Sequence, residues 1–154
     1  MNILVGRFRG KQLKYHKDGE KMLDFNKFVE GHLTGIKVYQ EENRAELFLQ
    51  ETTGRKWVLN ATDVSELMIL QMRMQNIIFR IVIWDLNSNE EEYKGKIFSL
   101  IHGKFETGKD HLSSPVINAK IDMIRRGEAV LLELEPVYGA LVLIIAKQVL
   151  LDSE

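Results

Sequence analysis

Between Ala129 and Leu150 the chain carries Leu131, Leu132, Leu134, Leu141, Val142, Leu143, Ile144, Ile145, Val149 and Leu150, broken only by a turn at Pro136–Gly139. Successive side chains of a strand point to opposite faces, so apolar residues on both parities mean that both faces of this hairpin are covered. The longest apolar run, Ala140–Ala146, is far short of the roughly 20 residues a membrane helix needs and reads as a buried strand. A small barrel covers only one face of such a pair. The other cover must come from the N-terminal segment or from a second copy of the chain, so a homodimer through the 129–150 hairpin is one expectation.

A chain of 154 residues fits one domain. Residues 1–30 read as an N-terminal extension, 31–103 as the core and 115–151 as additional strands. The absence of cysteine excludes disulfides, thiolate metal sites and cysteine nucleophiles. Met1–Phe8 has no long apolar stretch and carries Arg7 early, so no signal peptide is expected and the expected location is cytoplasmic. The four histidines, His16, His32, His102 and His111, show no HxH or HExxH spacing. Ser113-Ser114-Pro115 is not a nucleophile elbow, and no phosphate-loop or dinucleotide glycine pattern occurs. Neither enzymatic activity nor a cofactor is expected.

The net charge of −1 does not advertise a polyanion partner, but its distribution is uneven. Arg7, Arg9, Lys11, Lys14 and Lys17 fall in a stretch without acids, interleaved with Phe8, Tyr15 and His16. From Glu128 onward, Glu128, Glu133, Glu135, Asp152 and Glu154 face only Lys147. Only a contact face needs positive potential, so the two ends can coexist in a nucleic-acid binder.

Turn residues recur at short intervals, and the segments between them favour strands. Asn2–Arg9 reads as a strand, Gly10–Gly19 as a loop or hairpin, and Leu23–Phe28 is ambiguous. His32–Gln40, Arg44–Gln50 and Lys56–Ala61 form a three-stranded antiparallel meander. Its centre alternates strictly, with Ala45, Leu47 and Leu49 opposite Arg44, Glu46, Phe48 and Gln50. Asp63 followed by Glu66 resembles a capping box, and Leu67, Leu70, Met74 and Ile77 recur at helical spacing, so a helix is expected over Val64–Gln75. Strands are expected again over Ile77–Leu86 and Tyr93–His102, with a turn at Asn87–Asn89 and a polar loop over Gly103–Ser114. Pro115–Ile124 is open between strand and helix.

Three strands, a helix, then two strands resembles the oligonucleotide/oligosaccharide-binding fold (OB-fold) in element order, over roughly residues 32–102. The resemblance implies a mainly β protein: a small antiparallel Greek-key barrel with a helix between strands three and four, here with extra strands at both ends. It also implies a binding face across strands two and three, flanked by the loops after strands one and four. The matching positions are Phe48, Lys56, Trp57, the turn Glu41–Asn43 and the segment Asn87–Glu92.

Phe48 is an aromatic on the polar parity of its strand, a placement suited to stacking on a base. Tyr39 shares parity with Lys37 on the preceding strand, so cations and aromatics can alternate on one face. Trp57 has Leu59 and Ala61 as parity partners, which leaves it open between surface and core. The expected partner is single-stranded DNA or RNA. The expected contacts are Lys37, Tyr39, Arg44, Phe48, Lys56 and Trp57, with Arg7, Arg9 and Lys11 of the basic arm supplying charge.

Two other functions compete. Asp85 followed by Glu92-Tyr93-Lys94 on an adjacent strand resembles the metal-dependent nucleases of the PD-(D/E)xK family, whose carboxylates hold Mg²⁺ while the lysine assists the attacking water. The third class is a homo-oligomeric assembly subunit, suggested by the 129–150 hairpin.

Overall fold

A computed structural model describes residues 24–103 and 114–154 in full, together with the backbone of Ile3–Phe8 and Lys11–His16. Ten strands and two α-helices follow one another among these residues. β1 (Ile3–Phe8) and β2 (Lys11–His16) pair as an antiparallel hairpin of their own. The remaining strands are β3 (His32–Tyr39), β4 (Arg44–Gln50), β5 (Lys56–Thr62), β6 (Glu66–Leu70), β7 (Ile77–Trp84), β8 (Val130–Tyr138), β9 (Leu141–Ala146) and β10 (Gln148–Ser153). They make one mainly antiparallel sheet in the order β10-β5-β4-β3-β7-β8-β9-β6. The mainly β expectation holds, as does the β3–β4–β5 meander. The strand order has two ends and does not by itself describe a closed barrel.

The same two stretches of chain supply both ends of the sheet. β5 and β6 are separated by a corner at Asp63–Ser65, where Asp63 takes φ 50°. β9 and β10 are separated only by Lys147. β10 pairs with β5 (Gln148 opposite Thr62) and β9 with β6 (Ile145 opposite Glu66), so one ladder continues around the corner with a slip of one residue. The Lys147 N–H donates to the Thr62 carbonyl, and the Ser65 N–H donates to that of Ile145. The second arm of the apolar hairpin, residues 140–150, is therefore shared between two strands.

Two expectations are corrected and one open assignment is resolved. Val64–Gln75 is not a helix. Asp63 turns the corner, Glu66–Leu70 pairs with β9, and Met74 is fully exposed in the following loop. The helical spacing of Leu67, Leu70, Met74 and Ile77 is coincidental, because the strand's neighbour decides its conformation. Tyr93–His102 is not a strand but lies in α1 (Glu90–His102), capped by the Asn89 side chain accepting from the Glu91 N–H and ended by Gly103 at φ 69°. Three glutamates fill its first turn, where the helix dipole favours them. Pro115–Arg125 is α2, with Ser114 as N-cap and Pro115 in the first turn. Most of the loop expected over Gly103–Ser114 lies outside the described residues.

The helices explain the two-sided hairpin. Leu132, Leu134, Val142 and Ile144 enter one core with Leu33, Leu47, Leu49, Leu59, Val149 and Leu151 inside the curved sheet. Leu131, Leu143 and Ile145 face the other way, against Tyr93, Ile97 and Phe98 of α1 and Ile117, Ile121 and Ile124 of α2. Covers for both faces of the hairpin's central residues thus come from within one chain. No buried side-chain nitrogen or oxygen among the described residues lacks a hydrogen bond.

Candidate nucleic-acid interface

The outer face of the meander brings most of the expected contacts together. Alternation puts Lys37 and Tyr39 of β3, Arg44, Glu46, Phe48 and Gln50 of β4, and Lys56 and Asn60 of β5 on one side of the sheet. The register sets Tyr39 opposite Arg44, Lys37 opposite Glu46, Gly35 opposite Phe48 and Gln50 opposite Lys56.

Tyr39 is already engaged. The Arg44 guanidinium carbon stands 3.6 Å from its ring centre, and Lys37 Nζ stands 4.6 Å from it. Its hydroxyl donates to Glu46 Oε2 at 2.9 Å. Arg44 also pairs with Glu46 and with Glu42, at 2.5 and 3.1 Å. The hydrogen bond to Glu46 raises the Arg44 pKa against partial desolvation, and the Tyr39 hydroxyl raises that of Lys37. Burial pushes Glu46 up, but hydrogen bonds from Arg44 and Tyr39, with the Arg44 and Lys37 charges, outweigh it and hold the carboxyl below its ordinary value. The result is a locally neutralised cluster rather than a bare cationic strip.

Trp57 is not on this face. It is 3% exposed and lies edge-on to Phe28, with ring centres 6.2 Å apart at 90°. Its indole N–H donates to Glu51 Oε1 at 2.7 Å, and Lys27 Nζ lies 3.1 Å from the ring centre. Its parity with Leu59 and Ala61 decides the matter: that side of β5 is core.

Phe48 is half-buried. It lines a shallow pocket of about 270 Å³ with Thr34, Gly35, Leu49, Gln50, Lys56, Trp57 and Glu154. An irregularity between Leu33 and Gly35 turns Thr34 outward, and its hydroxyl donates to the Phe48 carbonyl at 3.2 Å. Gly35 carries no side chain to cover the ring, and a Cβ there would sit 3.7 Å from Phe48 Cδ2. Lys56 is exposed at the rim.

Of the basic arm, Arg7 lies in β1 and Lys11 in β2, while Arg9 lies outside the described residues. β2 runs alongside β10, which pairs with β5, so the arm's backbone reaches the edge of the same sheet. The turn Glu41–Asn43 is a short 3₁₀ segment ending with Asn43 at φ 48°. Asn87–Glu92 spans a turn and the first residues of α1.

The strand-borne pattern expected for the nuclease reading is not formed, because Glu92 and Lys94 lie in α1. Glu92 and Lys94 sit two apart on a helix, where side chains diverge by about 200°. Lys94 Nζ lies 3.9 Å from Glu91. Asp85 accepts from the Asn87 N–H at 2.9 Å and serves the turn. No group of three or more metal-ligating side chains occurs among the described residues.

Two features escaped the sequence reading. Glu133, 3% exposed, accepts from Trp84 Nε1 and from Lys96 Nζ, each at 2.8 Å, beneath α1. Reading Glu90–His102 as a helix, from Asn89 and the spacing of Tyr93, Ile97 and Leu100, would have revealed Lys96 above it. Met74, expected in a helix, and Phe79, expected in a strand, stand in the open at 100% and 50% exposure. No helix among the described residues is long and apolar enough to cross a membrane. No family model, no curated protein and no solved structure matches this chain.

Proposed function

We propose that this chain is a non-enzymatic binding protein for single-stranded nucleic acid. The element order that resembles the OB-fold is not formed, so the reading rests on the outer β3–β4–β5 face of the curved sheet as the contact surface. One observation carries the reading: a half-buried phenylalanine, Phe48, lines a shallow pocket with Lys56 at its rim, on the wet side of a curved antiparallel sheet. A base has a π-face to stack on such a ring, and each stacked base contributes about 1–3 kcal/mol. Lys37 and Lys56 supply backbone contacts, and the arm with Arg7, Arg9 and Lys11 adds affinity that depends on salt but not on sequence. Tyr39 and Arg44 hold the edge of the face in shape.

The test is fluorescence anisotropy of a labelled mixed-sequence oligonucleotide, single-stranded and duplex, at low and at moderate salt. Binding should favour the single strand and weaken with salt. Phe48→Leu keeps the apolar filling but removes the ring, and should weaken binding by about five- to a hundredfold. Lys56→Gln should lower the slope of log affinity against log salt by about one phosphate contact. Absence of binding to either form at low salt would sink the proposal.

A further inference from the structure

Eight large hydrophobic side chains are exposed among the described residues, and six of them, Val29, Met72, Met74, Phe79, Val137 and Tyr138, collect at one end of the molecule. Hydrogen bonds and pairing hold that end together. Tyr138 is opposite Ile77, the Glu30 N–H donates to the Ile78 carbonyl at 2.9 Å, and Asn76 bonds both Arg73 and Ala140. Soluble proteins rarely leave so much apolar surface together unless something docks there, and exposed methionine suits an adaptable contact.

We propose that this end is a self-association surface, and that its occupant is a second copy of this chain in a two-fold dimer. The choice of occupant rests on charge. Arg73 stands over the Tyr138 ring, its guanidinium carbon 5.3 Å from the centre, and has no carboxylate partner among the described residues. Glu30, exposed and held at φ 63°, has no cationic partner among them. Arg80 and Glu135 neutralise each other at 2.5 Å. A polyanion or an anionic lipid surface calls for an excess of unpaired cations. An apolar patch carrying one unpaired charge of each sign is self-complementary, as a two-fold interface requires, because Arg73 of each copy can meet Glu30 of the other. The inference uses none of the residues on which the nucleic-acid proposal rests.

Sedimentation velocity of the full chain over a wide concentration range tests it. A dimer that dissociates on dilution is expected. Met74→Glu alters a fully exposed side chain, so it should leave folding intact while weakening the dimer by about tenfold or more. Arg73→Glu should do the same, and adding Glu30→Arg should restore association. A monomer at every concentration would overturn the proposal, as would a dimer indifferent to Met74→Glu. If the monomer instead bound phosphatidylglycerol vesicles in a Met74-dependent way, the surface would be a lipid-docking site and the second copy would be wrong.

Discussion

Asn76 ties three separate segments with one carboxamide. It is 2% exposed. Its Oδ1 accepts from the Arg73 and Ala140 N–H groups at 3.0 Å each, and its Nδ2 donates to the Arg73 and Leu33 carbonyls at 2.8 and 3.3 Å. Removing it leaves buried backbone groups unsatisfied, so Asn76→Ala should cost about 2–4 kcal/mol in urea unfolding. Gly139 is bound to the same arrangement: it takes φ 93°, and a Cβ there would stand 2.4 Å from Asn76 Oδ1. At Glu46 the prediction concerns pH. A carboxyl held below its ordinary value of 4.5 contributes stability that is fully present above that value and is lost as pH falls through the lower folded one. Glu46→Gln should therefore flatten the fall of stability with pH below about 4.5, measured by thermal unfolding across an acid series.

At the scale of elements, α1 is fastened to β8 by charge as well as by packing. Lys96 reaches Glu133, which is buried against Trp84. Taking away one partner leaves a buried charge poorly matched, and partial exposure of Lys96 moderates the penalty. Lys96→Ala should destabilise by about 2–3 kcal/mol, while the double change Lys96→Met with Glu133→Gln, which removes both charges but keeps an acceptor for the Trp84 N–H, should recover part of that loss. How far elements could be read from sequence followed from how local their signals were. The meander was legible because Ala45, Leu47 and Leu49 alternate without exception and all three are buried. β6 was not, because Asp63 and Glu66 imitate a helix start, and only the distant partner Leu141–Ile145 makes the segment a strand. α1 was misread although its signals were local: Asn89 was taken for a turn residue, when its side chain was the cap. At the candidate site, parity placed Phe48 correctly on the wet face. It could not show that Arg44 would occupy the Tyr39 ring, since that contact depends on register between strands.

The whole molecule is two cores sharing the β8–β9 wall. One lies inside the curved sheet, the other beneath the helices. Cooperative unfolding should follow, because Leu131 and Leu132 belong to different cores yet adjoin in one strand. Leu151, 1% exposed in β10, anchors the first core far from the helices. Leu151→Ala should lower stability by about 2–4 kcal/mol, with far- and near-ultraviolet circular dichroism changing at the same denaturant midpoint. Separate midpoints would mean that the cores melt independently.

The ladder that continues around Lys147 also bears on how the protein is born. The outer edge of β5 is covered by β10, and Asn60 meets Asp152 across 92 residues of chain. Translation delivers the first strand long before the second, so a nascent chain emerging from the ribosome carries an uncovered edge with Trp57, Leu59 and Ala61 behind it. During that interval the β5 edge is open to pairing with a neighbouring nascent chain.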